Sequence, residues 1–61
     1  MRGLAGVWKA FVTVGEAIDV VMIVDDYERT YTIQSAKHRR RNEYIILTKE
    51  QEREALRQLE L

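Results

Sequence analysis

The chain has 61 residues, with ten basic and ten acidic side chains, and it contains no cysteine and no proline. This length allows one domain, residues 1–61, with little buried core, and the missing cysteine excludes disulfides and thiolate metal sites. Because domains of this size normally need stabilisation beyond their own core, we expect the chain to associate with itself.

The first predicted element is a β-strand over residues 7–14. This stretch is rich in β-branched and aromatic residues and is followed by Gly15, a residue typical of turns. Apolar residues between Leu4 and Ile18 also share one helical face, so periodicity alone allows a helix over residues 4–14. The residue types favour the strand.

A second strand is predicted from Ile18 to Val24, centred on the continuous apolar run of residues 20–24 that ends at Asp25 and Asp26. Such a continuous run is typical of a strand that is buried on both faces. Residues 25–28 carry turn-forming side chains and predict a tight connection to the next strand.

Residues 27–34 alternate between two faces and predict a half-exposed strand, the second arm of a hairpin. Tyr27, Arg29, Tyr31 and Ile33 share one of these faces. Interleaved aromatic and basic side chains are typical of base-stacking surfaces on sheets. Because Ile33 lies among them, we favour the alternative that the tyrosines pack in a core or a dimer seam.

The basic segment, residues 37–41, holds four of the ten lysines and arginines of the chain. A further strand is predicted after it, over residues 43–47, and its Tyr44 is expected in the core. Asn42 tolerates the left-handed conformation that a tight connection often needs. We therefore expect the basic segment to form a hairpin tip in solvent, since a buried core cannot accept such a cluster.

The last predicted element is a helix over residues 49–60. Thr48 and Gln51 form a capping-box pattern, and glutamates in the first turn suit the positive end of the helix dipole. The apolar stripe of this helix is narrow. It consists of Ala55, Leu56 and Leu59.

The element order predicts an α+β fold, a small antiparallel sheet of about four strands (β-β-β-β-α) with a C-terminal helix. One short helix covers one face of such a sheet, yet the strand at 18–24 needs cover on both. We expect a homodimer that pairs strands or packs its two sheets together, with a small closed barrel as the alternative.

The basic segment carries the main functional prediction. A row of like charges repels itself, so we expect negative charge from outside the fold, phosphate first, to compensate it. Arginine also suits bidentate contacts with phosphates and guanine edges. The predicted nucleic-acid-binding residues are Lys37, His38, Arg39, Arg40, Arg41 and Arg29. The alternatives are a solvated loop without a ligand and charges that keep a sheet edge from aggregating.

The sequence contains no pattern that is typical of a catalytic site. No nucleophile, base and acid arrangement, phosphate-binding glycine loop or metal-ligand spacing can be assembled, so we expect no enzyme activity, no cofactor and no metal site. Asp25 and Asp26 are interpreted as turn formers, and His38 as a loop residue without a ligand. Trp8 suits either a core or a partner interface, and we favour the core.

Residues 4–24 are apolar, but Lys9, Glu16 and Asp19 interrupt the span of roughly 20 residues that a bilayer requires. We therefore expect no membrane association. The first residues contain no apolar run closed by small residues, as in a signal peptide, and we place the protein in the cytoplasm.

Residues 14–18, Val-Gly-Glu-Ala-Ile, resemble the first turn of the carbon-storage-regulator family, small dimeric RNA-binding proteins whose strands precede a C-terminal helix. The resemblance covers five residues. The alanine-proline and histidine-arginine-glutamate-glutamate segments of that family have no counterpart here, so no binding residue is carried over. It implies that this size and element order can form an interleaved dimer that binds nucleic acid.

We predict a small non-enzymatic nucleic-acid-binding regulator, with DNA slightly favoured over RNA because an arginine-rich hairpin suits a duplex groove or backbone. Two-fold symmetry would place two basic segments on one ligand. The alternative is a protein-binding modulator or inhibitor, of phage or plasmid type, that docks on a larger enzyme. It would use a sheet edge or the helix, in which glutamates outnumber basic residues.

Overall fold

The computed structural model describes residues 6–59, which form one four-stranded antiparallel sheet followed by a helix. The strands lie in the sheet in chain order, so that β1 is one edge and β4 the other. The elements are β1 (Val7–Val14), β2 (Ile18–Asp25), β3 (Thr30–His38), β4 (Glu43–Tyr44) and α1 (Lys49–Leu59). The predicted element order and the α+β class are therefore confirmed.

β1 and β2 form a tight hairpin in which all eight residues of β1 are paired, from Val7 opposite Asp25 to Val14 opposite Ile18. Gly15 follows β1 with a φ of 63°, a left-handed conformation that glycine adopts without steric cost. The strand interpretation of residues 7–14 is thus confirmed, whereas residues 4 and 5 lie outside the described part.

The turn between β2 and β3 covers residues 26–29, one residue later than the predicted turn over 25–28. One carboxylate oxygen of Asp25 accepts hydrogen bonds from the backbone N–H groups of Tyr27 (3.0 Å) and Glu28 (3.2 Å). Arg29 then adopts a left-handed φ of 59°. Because these contacts hold residues 26–29 in the turn, β3 begins at Thr30 and not at Tyr27.

β3 contains a β-bulge at Gln34. Val21 of β2 lies opposite Ser35, but the next residue, Met22, lies opposite Ile33, so Gln34 has no partner in the register. A bulge of this kind reverses which face the residues beyond it occupy. Tyr31 and Ile33 consequently pack against the core, while Ser35 shares the opposite face with Val21.

β4 is shorter than predicted, because pairing with β3 is limited to Lys37 opposite Tyr44 and His38 opposite Glu43. One further backbone bond, from the N–H of Ile45 to the carbonyl of Ala36 (2.8 Å), follows before the chain leaves the sheet. Residues 45–48 cross toward the helix instead, since Ile45 and Leu47 pack against the core. The prediction of a strand over 43–47 was therefore wrong for its last three residues.

The helix begins as the sequence predicts. Thr48 Oγ1 accepts from the N–H of Gln51 (3.1 Å), and Gln51 Oε1 accepts from the N–H of Thr48 (2.9 Å), which is a complete capping box. Ala55 is fully buried against the sheet, with Leu56 and Leu59 packed beside it. The predicted last residue, Glu60, lies outside the described part. No helix in the described range is long and apolar enough to cross a membrane.

The sheet has two different faces, which we call the covered face and the open face. The covered face lies under α1, and its buried residues are Ala10, Val14, Ile18, Val20, Met22, Val24 and Ala36. The open face points away from α1 and consists of the residues between them, Val7, Lys9, Phe11, Thr13, Asp19, Val21, Ile23, Asp25, Thr30, Thr32, Ser35 and Lys37.

β2 shows the difference most clearly, since its residues alternate strictly between buried and half-buried positions. The expectation of burial on both faces was therefore wrong for the single chain, because one helix covers one face. Trp8, expected in the core, lies on the covered side of β1 but keeps 40% of its surface exposed.

Candidate functional site

The basic segment lies at the tip of the β3–β4 hairpin, as expected. His38 ends β3, and its carbonyl accepts a hydrogen bond from the N–H of Asn42 (2.8 Å), which closes the turn. Asn42 has a left-handed φ of 56°, a conformation that asparagine tolerates. The three arginines between them project into solvent.

Arg39 is held by a carboxylate of its own chain. Its Nη2 lies 2.6 Å from Asp19 Oδ1 and its Nε lies 3.1 Å from Asp19 Oδ2, so the guanidinium makes a two-point contact. The hydrogen bond from Arg39 holds the pKa of Asp19 below its usual value, and Asp19 in turn raises the pKa of Arg39. The N–H of Arg39 also donates to the carbonyl of Ala17 (2.7 Å).

Arg40 and Arg41 have looser acidic neighbours. Arg40 Nη1 lies 3.9 Å from Glu16 Oε1, and Arg41 Nη1 lies 3.9 Å from Glu43 Oε1. Both pairs are well exposed, and exposed pairs contribute about 0–1 kcal/mol. The Arg40–Glu16 pair forms because the β1–β2 turn and the β3–β4 hairpin lie at the same end of the sheet, whereas Arg41 and Glu43 belong to the same hairpin.

The local charge of the tip is therefore smaller than the sequence implies. Four cations, Lys37, Arg39, Arg40 and Arg41, face three carboxylates, Glu16, Asp19 and Glu43, which leaves a net charge of +1. The expectation that the compensating charge comes from outside the fold was therefore wrong for the three arginines, each of which has a carboxylate of its own chain nearby. A ligand phosphate at this tip has to compete with carboxylates.

The other two members of the basic segment are used within the hairpin. Nδ1 of His38 accepts a long hydrogen bond (3.4 Å) from the N–H of Arg41, a contact that requires the unprotonated nitrogen. Lys37 Nζ lies 5.5 Å from the ring centroid of Tyr44, within cation–π distance. This contact places a cation beside an aromatic face at the border of the open face.

Two aromatic side chains are exposed on this side of the sheet. Tyr44 is 72% exposed, contrary to the prediction that it belongs to the core, and Phe11 is 73% exposed. Phe11 is not among the site residues predicted from the sequence. Phe11 lies on the same face of β1 as Lys9 and Thr13, and this alternation can be read from the sequence. It identifies Phe11 as exposed only once the face that α1 covers is known.

The aromatic and basic residues predicted on the start of β3 separate in the structure. Tyr31 lies on the covered face, where its Oη donates to Glu52 Oε2 (2.8 Å) and its pKa is raised by that bond. Tyr27 and Arg29 lie in the β2–β3 turn. Arg29 is thus separated from the basic segment by the length of β3, roughly 26 Å, and does not join it.

The described residues contain no group of three or more histidine, aspartate or glutamate side chains placed to hold a metal ion. Comparison of the chain with family models, with curated proteins and with solved structures gave no match in any of the three. The five-residue resemblance to the carbon-storage-regulator family is not extended by these comparisons.

Proposed function

We propose that the protein is a small non-enzymatic nucleic-acid-binding regulator that acts as a homodimer and binds single strands, DNA or RNA. The observations that carry the proposal are the exposed ring of Tyr44 beside Lys37 near the arginine tip and the exposed ring of Phe11 on the same face of the sheet, on the opposite edge strand. Bases would stack on the two exposed rings, and phosphates would contact the cations.

The arginines differ in their availability to phosphate. Arg40 and Arg41 hold their carboxylate neighbours at 3.9 Å without a hydrogen bond, so a phosphate can replace these weak pairs. Arg39 is oriented by its two-point contact with Asp19. We therefore expect Arg40 and Arg41 to supply most of the salt-dependent affinity.

The geometry favours a single strand over a duplex. Because β4 has two residues, the hairpin is a short turn at the sheet border and offers little reach into a groove. Exposed rings on an open sheet face are instead the feature that binds unstacked bases. This preference modifies the sequence-based expectation of a duplex, and it leaves DNA and RNA as equal candidates.

Fluorescence anisotropy with labelled oligo-dT, oligo-U and a duplex of equal length, titrated at several salt concentrations, tests the proposal. We expect the single strands to bind more tightly. Arg40→Ala/Arg41→Ala should reduce the slope of log K against log salt by about 1.4, since each phosphate contact on a single strand contributes about 0.7. Tyr44→Ala should weaken binding by about 1–3 kcal/mol through loss of one stacked base.

The matched control is Arg53→Ala/Arg57→Ala, which removes two exposed arginines from α1 and changes the net charge equally. This variant should bind like the wild type. Equal loss in both double variants, or no binding by the wild type at low salt, would reject the nucleic-acid proposal.

A second candidate function is the binding of an extended peptide. Within residues 6–59, the outer side of β3 before Ala36 has no neighbouring strand, and a groove of about 330 Å³ runs beside it. Its apolar lining includes Ile33, Ile45, Ile46 and Leu47. A strand added to this edge would place alternate side chains in the groove. Peptide-array binding that Ile33→Asp abolishes, with oligonucleotide binding unchanged, would favour this candidate.

A further inference from the structure

We propose that β1 pairs antiparallel with β1 of a second copy, around a two-fold axis at Ala10, and joins the two sheets into one continuous sheet. The inference rests on the proposed homodimer and identifies its interface and register. It does not depend on nucleic-acid binding.

The composition of β1 points to this edge. Six large hydrophobic residues are exposed in the described part of the chain, and three of them lie on β1: Val7 (68% exposed), Trp8 and Phe11. Edge strands are normally short, bulged or charged, which prevents pairing with other chains. β1 has eight residues in unbroken register with β2, and Lys9 is its one charged residue. Such an edge is well suited to pairing.

Two hydrogen bonds identify which backbone groups of β1 face outward. The carbonyl of Gly6 accepts from Asp26 N–H and so points toward β2, whereas the carbonyl of Thr13 accepts from Gln58 Nε2, a side chain of α1 (2.8 Å). Because backbone direction alternates along a strand, the odd-numbered residues direct their N–H and C=O groups to the edge. These residues are Val7, Lys9, Phe11 and Thr13.

The register follows from these groups. A two-fold axis at Ala10 places Val7 opposite Thr13 and Lys9 opposite Phe11, so that all four outward-facing residues of each copy are paired. An axis at Lys9 would bring two lysines directly opposite each other, which is destabilising. An axis at Phe11 would pair Val7 with Gly15, which lies beyond the strand in a left-handed turn.

The proposed register also accounts for the side chains. Lys9 would lie against the partner's Phe11, a cation beside an aromatic ring. Trp8 would lie opposite the partner's Val12 and lose its remaining exposed surface. The carbonyl of Thr13 has a second lone pair, so its bond with Gln58 is compatible with pairing. Both open faces would point to one side, and both helices to the other.

Since the chain contains no cysteine, introduced cysteines report the contact directly. We would mix Lys9→Cys and Phe11→Cys proteins under mild oxidation and quantify the disulfide-linked species by mass spectrometry. Directly opposed residues in such a pair have Cα atoms about 5.5 Å apart, which a disulfide can bridge. We expect the mixed species to exceed both self-linked species.

Each alternative gives a different product. Predominant self-linking of Phe11→Cys would overturn the register, and predominant self-linking of Thr32→Cys, on β3 of the open face, would show sheets packed face to face. Sedimentation of the wild type as a monomer at about 100 μM, a concentration that favours even weak dimers, would reject the homodimer together with this interface. Oligonucleotide binding is measured separately, so its failure would reject the nucleic-acid proposal alone.

A backbone variant gives an independent test. Lys9→Pro removes an outward N–H, and proline is tolerated on edge strands at such positions. The matched control Lys9→Thr removes the charge but keeps the N–H. We expect Lys9→Pro to weaken dimerisation roughly 10- to 100-fold relative to Lys9→Thr, because two hydrogen bonds are lost per dimer. Equal dimerisation of the two variants would overturn the proposal, and circular dichroism checks that both are folded.

Discussion

The covered face and the open face of the sheet contain similar residues on β2 but differ in how deeply those residues are buried. On β2, Val20, Met22 and Val24 point toward α1 and are fully buried. Val21 and Ile23, their direct neighbours in the chain, point the other way and remain half-buried. Neither composition nor strand propensity distinguishes the two sets.

The fold of one chain therefore explains the apolar residues of the covered face but not those of the open face. Burial under α1 explains why alternate residues of β2 are apolar, but it gives no reason for Val21, Ile23 and Phe11. Contiguous apolar residues on an exposed face are typical of contact surfaces. The open face and its β1 edge are therefore the parts of the molecule to test for binding, and the covered face is the part to test for stability.

The largest expected effect is the loss of a buried side chain on the covered face. Met22→Ala should lower the free energy of unfolding by about 2–5 kcal/mol, because it removes buried contacts and leaves a cavity. Val21→Ala, the adjacent residue on the open face, should cost about 1 kcal/mol or less. Urea denaturation at one low protein concentration measures both, since dimerisation would otherwise add to the result. Equal losses would indicate that the open face is also covered in solution.

An intermediate effect is expected for the hydrogen bond that joins β3 to α1. Tyr31→Phe removes the bond to Glu52 and should lower the free energy of unfolding by about 1 kcal/mol. Tyr44→Phe is the matched change on the exposed side and should leave stability unaltered, because the ring of Tyr44 is in solvent. A larger loss in Tyr44→Phe would contradict the assignment of the two faces.

The smallest expected effect concerns Asp19 on the open face. Its pKa in the folded chain is lowered, chiefly by the hydrogen bond from Arg39, so its contribution to stability is present at neutral pH. The contribution is lost as the pH falls below about 4 and through the folded pKa. Wild type should therefore be slightly more stable than Asp19→Asn at pH 7, and the difference should shrink as the pH falls through the folded pKa of Asp19. A constant difference would indicate that the ionised carboxylate is unimportant.

Local signals in the sequence were sufficient for β1 and the start of α1. Gly15 and the capping box of Thr48 and Gln51 act within a few residues, so their positions could be predicted correctly. The start of β3 and the length of β4 could not. The β2–β3 turn depends on hydrogen bonds to the Asp25 carboxylate. β4 is short because Ile45 and Leu47 pack against the core.

The candidate site was predictable to a smaller extent. The position of the arginines at a hairpin tip follows from Asn42 and from the cost of burying charge. The positions of their carboxylate neighbours do not follow from local sequence, because Glu16 and Asp19 come close to the arginines only through the register of β2 with β3. Periodicity gives the two faces of a strand but does not say which face the helix covers.

The bulge at Gln34 reverses the alternation of side chains between the two faces within β3. Tyr31 and Lys37 are six residues apart and would share a face in a regular strand, yet one binds α1 and the other lies on the open face. One unpaired residue thus turns the odd-numbered side chains of β3 toward the core before the bulge and toward the open face after it. Deleting Gln34 would place Ser35 directly after Ile33, opposite Val21 and Met22, so β3 would become a regular strand whose two halves keep their present faces.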